Sequence, residues 1–199
     1  DYRLVENASQ LREVVAEVGK YGEFCFDTET TGFDIFNDRI VGMSLAVKPF
    51  EAWYIPFKEE NTAEYTQIVR PLFEDEGIAK IGQNIKFDLM VLRRLGLDIR
   101  GRKYDTMILL DPESRHNMNA LSEKYLNYKP IEIETLIGKG SKQLTMDLVN
   151  VERVKEYAAE DADVTLQLKH VLYPQVEKIG LQHLYFEVEE PMIAVLADI

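Results

Sequence analysis

Thiol and imidazole are nearly absent from this chain. Its 199 residues hold one cysteine, Cys25, and three scattered histidines, His116, His170 and His183. A lone cysteine excludes an internal disulfide and fits a reducing compartment, so a cytoplasmic location is expected. No paired Cys or His spacing exists that would suit a zinc site. No apolar run reaches the roughly 20 residues that cross a bilayer, and no membrane partner is expected. Positive charge is short too, with 23 Lys and Arg against 35 Asp and Glu, a net charge of −12. That balance argues against a broad electrostatic grip on nucleic acid. It leaves room for a local site that takes up divalent cations and touches a few phosphates. Internal repeats and low-complexity tracts are missing as well. What is there is ordinary globular composition, 46% hydrophobic and 10% aromatic, in a chain long enough to bury a full core.

The chain is organised around Phe24-Cys25-Phe26-Asp27-Thr28-Glu29-Thr30-Thr31-Gly32. Three apolar residues in a row read as a strand buried on both faces. Asp27 and Glu29 follow two positions apart, so an extended chain turns both to one side. Paired acids at a buried strand end repel each other unless a cation sits between them, and a metal ion is the simplest such cation. An isolated Asp-x-Glu reads more readily as a solvated strand end running into a turn, so the case needs further acids converging on the same place.

Asn7 or Ser9 can cap a first helix whose inward stripe is Leu11, Val14, Val15 and Val18, closed by Gly19 and Gly22. After the central strand, residues 40–47 and 52–55 read as two more strands. Their short connections predict an antiparallel meander. A helix over 62–73, a strand over 78–82 and a helix from an Asn84 cap to the Gly96 stop follow, with a last strand at 103–106. Beyond it the pattern is helical at 107–111, 119–127, 133–137, 151–172 and 181–199, around a basic loop at Gly138-Lys139-Gly140-Ser141-Lys142. The expectation is an α/β fold with a mixed five-stranded sheet flanked by helices and a mostly helical C-terminal half. In such folds sites form beyond the carboxyl ends of strands, where Asp27 and Glu29 fall.

Two further acids lie on apolar stripes. Asp88 shares a helix face with Ile85, Leu92 and Leu95, which is unusual for a charge unless it is paired or metal-bound, although an Asp near a helix start also suits the macrodipole. Just before it, Gln83 and Asn84 occupy a strand-to-helix turn suited to phosphate oxygens. In the helix from Val151, the residues Val154, Tyr157, Ala158, Val164, Thr165, Leu168 and Leu172 trace a stripe that includes Asp161 and leaves Glu160 and Asp163 outside it. Tyr157 stands one turn before Asp161 on that face, either as its partner at a site or as a core aromatic bonded to it. Asp27, Glu29, Asp88 and Asp161 are hard oxygen ligands, suited to two Mg2+ or Mn2+ ions bridged by a shared carboxylate. Tyr157 could orient an attacking water.

Three blocks together, Phe26-Asp27-Thr28-Glu29-Thr30, Gly82-Gln83-Asn84-Ile85-Lys86-Phe87-Asp88 and Tyr157-Ala158-Ala159-Glu160-Asp161-Ala162-Asp163, resemble the three exonuclease motifs of the DEDD superfamily, tyrosine subtype. Their order and context are most similar to the 3′–5′ proofreading domains of bacterial DNA polymerases I. The resemblance implies a ribonuclease H-like fold and metal-dependent hydrolysis of the terminal phosphodiester of a single-stranded or frayed 3′ DNA end. It implies a first ion held by Asp27, Glu29 and Asp161, a second positioned by Asp27 and Asp88, and a water oriented by Glu29 and Tyr157. Thr28, Thr30 and Phe33 would lie against DNA, with Phe33 pressing on the terminal base, and Gln83, Asn84 and Arg115 would hold phosphates. Two positions depart from the pattern: Phe33, where an aliphatic wedge occurs, and Ile133, where an aromatic can stack on a base.

The resemblance also implies a polymerase domain in the same parent chain and a monomer. Residue 1 is Asp, and the stripe Met192, Val195, Leu196 and Ile199 stops without a cap or breaker. Residues 1–199 therefore read as one exonuclease domain excised from a longer protein, with 190–199 beginning the junction to the polymerase. Two other readings stand beside it: an RNA 3′-processing exonuclease of the ribonuclease D type, which shares these motifs, and a non-catalytic exonuclease-like module that braces a polymerase, although such modules have lost acids of the set that are all present here.

Overall fold

A computed structural model describes residues 1–109, 116–140 and 143–198. Six strands form one mixed sheet in the order β1-β4-β3-β2-β5-β6. They are β1 (Tyr2–Leu4), β2 (Glu23–Thr30), β3 (Ile40–Lys48), β4 (Glu51–Pro56), β5 (Ala79–Gly82) and β6 (Lys103–Asp105). The meander β2-β3-β4 is antiparallel as expected, while β5 and β6 add in parallel beside β2. The expected count of five is corrected to six. Tyr2–Leu4 pairs in parallel with β4, and three residues at the start of a chain are too few to show an alternating pattern.

Strand alternation sorts the core into two faces. Phe24, Phe26, Met43, Leu45, Trp53 and Ile55 face α1 (Ala8–Val18), α2 (Thr62–Glu74) and α3 (Ile85–Arg94). The opposite face has a row of small residues, Cys25 paired with Ala46 and Ala46 with Ala52. Beyond it lie α4 (Met118–Leu126), α5 (Glu134–Ile137) and the long α6 (Val151–Lys178). Ala158, Ala159 and Ala162 of α6 are fully buried. Small side chains on both sides let this helix lie close to the sheet, and that closeness sets the site. The helix runs past the expected stop at 172 and through Pro174, because its last turn still buries Val176. α7 (Gln182–Leu184), a π-helical turn (Tyr185–Glu189) and α8 (Glu190–Ala197) follow, and among the described residues no helix is long and apolar enough to cross a membrane.

The cap of α1 is Asn7, whose side chain accepts from the Ser9 and Gln10 amides. The start of α3 departs from expectation. Asn84 is left-handed (φ 61°) and its side chain makes no cap bond. The Asp105 carboxylate at the end of β6 caps the helix instead, accepting from the Asn84 and Ile85 amides at 2.8 Å each. The expected helical stretch over 107–111 lies partly outside the described residues, as does the loop at 138–142.

Candidate active site

Asp27 and Glu29 leave β2 on the face that carries α6, and α6 brings Asp161 to them. One carboxylate oxygen from each of the three lies within 4.8 Å of the others. Asp88 comes from the other face. Its Oδ1 accepts from the Thr28 amide at 3.1 Å and the Thr28 hydroxyl at 2.5 Å. Thr28, alternating with Asp27 and Glu29, points to the α3 side and ties Asp88 to the edge of the cluster. Asp88 is therefore a neighbour of Asp27, not a member of the tight trio.

The electrostatics are those of a site short of positive charge. Burial pushes Asp27 up to about 7, against a modest pull from the Thr28 amide. Burial raises Glu29 well above the carboxylate range, and the charges of Asp27, Asp161 and Asp88 add to it. Asp161 is raised by burial and then by Asp27, with the neighbouring Tyr157 hydroxyl pulling the other way. Asp88 is raised by burial and by Asp27. Among the described residues no Lys or Arg lines the cleft, and Glu29 Oε1 and Asp161 Oδ1 are buried without a hydrogen-bond partner. An unpaired buried carboxylate oxygen costs several kcal/mol, roughly, so this arrangement calls for protons or cations. Hard oxygen donors with open lone pairs at this spacing fit a divalent cation.

Tyr157 stands beside Asp161, and burial followed by the charges of Asp161, Glu29 and Asp27 holds its pKa far above the usual phenol. It stays a neutral hydroxyl at any working pH. Beneath Glu29, Gly42 leaves room for the Tyr54 ring; a Cβ on Gly42 would sit 2.1 Å from the Tyr54 hydroxyl.

The cluster forms the floor of a cleft of about 700 Å³. Thr30, Phe33, Gln83, Asn84, Ile131 and Ile133 all line it. Phe33 is 85% exposed and meets Phe87 edge-on with centroids 6.0 Å apart. The Thr30 hydroxyl donates to the Gly32 carbonyl at 2.6 Å. Gln83 is held from both ends: its amide nitrogen donates to the His116 carbonyl at 2.6 Å and its oxygen accepts from Thr106. Arg115 lies outside the described residues.

One expectation needs correction. The helical stripe put Glu160 and Asp163 on the outer face, yet they are 4% and 1% exposed. The middle of α6 is enclosed on every side, so a one-stripe pattern does not apply to it. Glu160 accepts from the Tyr128 hydroxyl and the Ile131 amide, and Asp163 from the Tyr2 hydroxyl, the Phe50 amide and Gln167. Phe87 and Asp105 are two further residues of consequence outside the set expected from the sequence. Phe87 sits one turn after Gln83-Asn84 within a quoted motif, which is a usable signal. Asp105 has none beyond an acid at a strand end.

Residues 2–177 match the family described as 3′-5′ exonuclease. DNA polymerase I of Pseudomonas aeruginosa is 40% identical over all of this chain and 23% of its own length. DNA polymerase I of Rhizobium leguminosarum is 34% identical over 98% of this chain and 22% of its own. The chain thus spans less than a quarter of the length of these relatives. Among solved structures, Escherichia coli RNase D, an exoribonuclease involved in structured RNA processing, superposes with a TM-score of 0.78 at 18% identity, covering 99% of this chain and 50% of that one. At that identity the likeness carries the ribonuclease H-like fold alone.

Proposed function

The chain belongs to the 3′-5′ exonuclease family, and on that premise we propose that its cleft removes mismatched 3′-terminal nucleotides from DNA as the proofreading domain of a DNA polymerase I. The observation that carries this reading is the trio Asp27, Glu29 and Asp161, with oxygens within 4.8 Å of one another and two of those acids holding an unpartnered buried oxygen. Asp27, Glu29 and Asp161 would hold one Mg2+ or Mn2+ ion, and Asp27 with Asp88 a second. Bound there, the ions supply charge neutralisation at the scissile phosphate and a more acidic attacking water.

The chain's own groups do the rest. Tyr157, kept protonated by burial and by its acidic neighbours, and Glu29 fix the orientation of the attacking water by hydrogen bonds. Phe33 and Phe87 offer aromatic faces and edges to the terminal base, while Thr30, Gln83, Asn84 and Arg115 contact the strand. A mismatched end unpairs at lower cost than a matched one, and a narrow acidic cleft admits only a single strand; selectivity for errors follows from those two facts.

Duplex affinity would come from a polymerase domain in the same chain, since this part carries a net charge of −12. The exposed apolar residues Leu184, Val188, Met192, Val195 and Leu196 support a junction to that domain at 190–199. The test is Mg2+-dependent hydrolysis of matched single-stranded DNA and RNA oligonucleotides by the wild-type protein and Asp27→Ala. Release of nucleoside monophosphates from DNA, lost by several orders of magnitude in Asp27→Ala, is expected. Undiminished hydrolysis in the variant refutes the site, and clear preference for RNA replaces the substrate by that of a ribonuclease D-type enzyme.

A further inference from the structure

Of the three buried acids in the middle turns of α6, only Asp161 faces the cleft. Glu160 commits both oxygens to one loop. Oε1 accepts from the Tyr128 hydroxyl and Oε2 from the Ile131 amide, the latter at 2.6 Å. That loop leaves α4 at Asn127, which is left-handed (φ 50°), and its Tyr128 carbonyl accepts from the Ser122 hydroxyl at 2.9 Å. It then passes through Pro130, whose φ is fixed by its ring, and continues to Ile131 and Ile133 in the wall of the cleft. The wall and the floor of the cleft are thus joined through two adjacent residues of one helix: Glu160 grips the wall, Asp161 belongs to the floor. Glu160 is not itself one of the three grouped acids, and both its oxygens are taken.

We infer that Glu160, together with Tyr128, is a positioning residue for substrate: it sets the Ile131–Ile133 wall at a fixed distance from Asp161, so that an entering strand meets a preformed surface. This rests on the exonuclease reading above. A loop held in place before binding has less freedom to lose when the strand arrives. Releasing it therefore weakens binding of the strand and leaves the chemical step alone.

The chemistry of the pair says which substitutions matter. A glutamine at 160 still accepts from the Ile131 amide, and its amide nitrogen can donate to the Tyr128 oxygen, so both links survive. Alanine at 160 loses both, and Tyr128→Phe loses one without touching any acid. The experiment is steady-state hydrolysis of a single-stranded oligodeoxynucleotide with Mn2+ by Tyr128→Phe, Glu160→Gln and Glu160→Ala, with calorimetric Mn2+ binding to each. Tyr128→Phe is expected to raise KM about three- to tenfold, the scale of the net contribution of one hydrogen bond, with kcat and Mn2+ binding unchanged. Glu160→Gln should stay near wild type, and Glu160→Ala should show the largest KM. A fall in kcat or in Mn2+ affinity in Tyr128→Phe would overturn the inference, because the pair would then act on the acids. An active wild-type protein with KM untouched in Tyr128→Phe would sink the inference alone. An inactive wild-type protein would sink the exonuclease reading and the inference with it.

Discussion

Two groups of buried or half-buried acids, one gathered in the cleft and one outside it, could not be more differently provided for. At the cleft, Asp27, Glu29 and Asp161 crowd together, and two of them keep an oxygen with no hydrogen-bond partner among the described residues. Around the rim, Asp105 accepts from three backbone amides, those of Asn84, Ile85 and Met107. Glu160 and Asp163 are bonded by hydroxyls and amides from the chain segments they hold down. At the far end of the same face, Glu23 is met by Lys169 and His170. Burial shows only where a carboxylate is costly. The supply of partners separates an acid that fastens the fold from one that waits for a cation.

Substitution should pull the two groups apart. Asp161→Ala is expected to cost several orders of magnitude in hydrolysis while leaving metal-free stability no lower than wild type, since it removes repulsion. Asp105→Ala is expected to do the reverse in kind, losing about 3 kcal/mol of stability because three amides, one buried and two half-buried, lose their acceptor. Urea denaturation beside a nuclease assay reads both. Equal destabilisation by the two would erase the distinction. A smaller effect is expected of Tyr157→Phe, a drop in kcat of about 100-fold with KM held, the scale of a lost proton-handling group. Unchanged kcat would return Tyr157 to the core.

The smallest effect is one of pH. The cleft acids have folded pKa values raised above their ordinary ones, so their ionisation opposes folding. The metal-free protein should gain stability as pH falls through about 7, the Asp27 value, towards 3.8. Glu23 behaves oppositely. His170 and Lys169 hold it down to about 2, so its contribution is whole above 4.5 and is lost as pH falls towards 2. Metal-free Tm should therefore climb from about pH 8 to about pH 4.5, where the loss at Glu23 begins to offset the gain, with Glu23→Gln removing only that acid limb. Added Mn2+ should flatten the neutral limb, because the cation takes the place of the protons.

The central strand, the meander and the four acids were legible from spacing because their signals are local: an apolar run, a two-residue interval, an acid on a stripe. What escaped notice was set by other segments. Tyr2–Leu4 is a strand only because β4 offers it an edge. Glu160 and Asp163 are buried because α4, β1 and the loops at 50 and 128–131 close over the back of α6, which its own periodicity does not reveal. Asn84 has the residue type of a cap, but its left-handed backbone hands that task to Asp105, 21 residues on. Asp88 sat on the expected face, yet its bond to Thr28 places it one step outside the trio.

The claim beneath all of this is that unpartnered acids in the cleft bind divalent cations in competition with protons. Calorimetric titration of metal-free protein with Mn2+ at about pH 8 and about pH 6, with Asp27→Asn and Glu160→Gln alongside, tests it most directly. The account expects binding that releases protons and weakens at the lower pH, is lost in Asp27→Asn and persists in Glu160→Gln. Equal binding by wild type and Asp27→Asn, with no proton release, would contradict it.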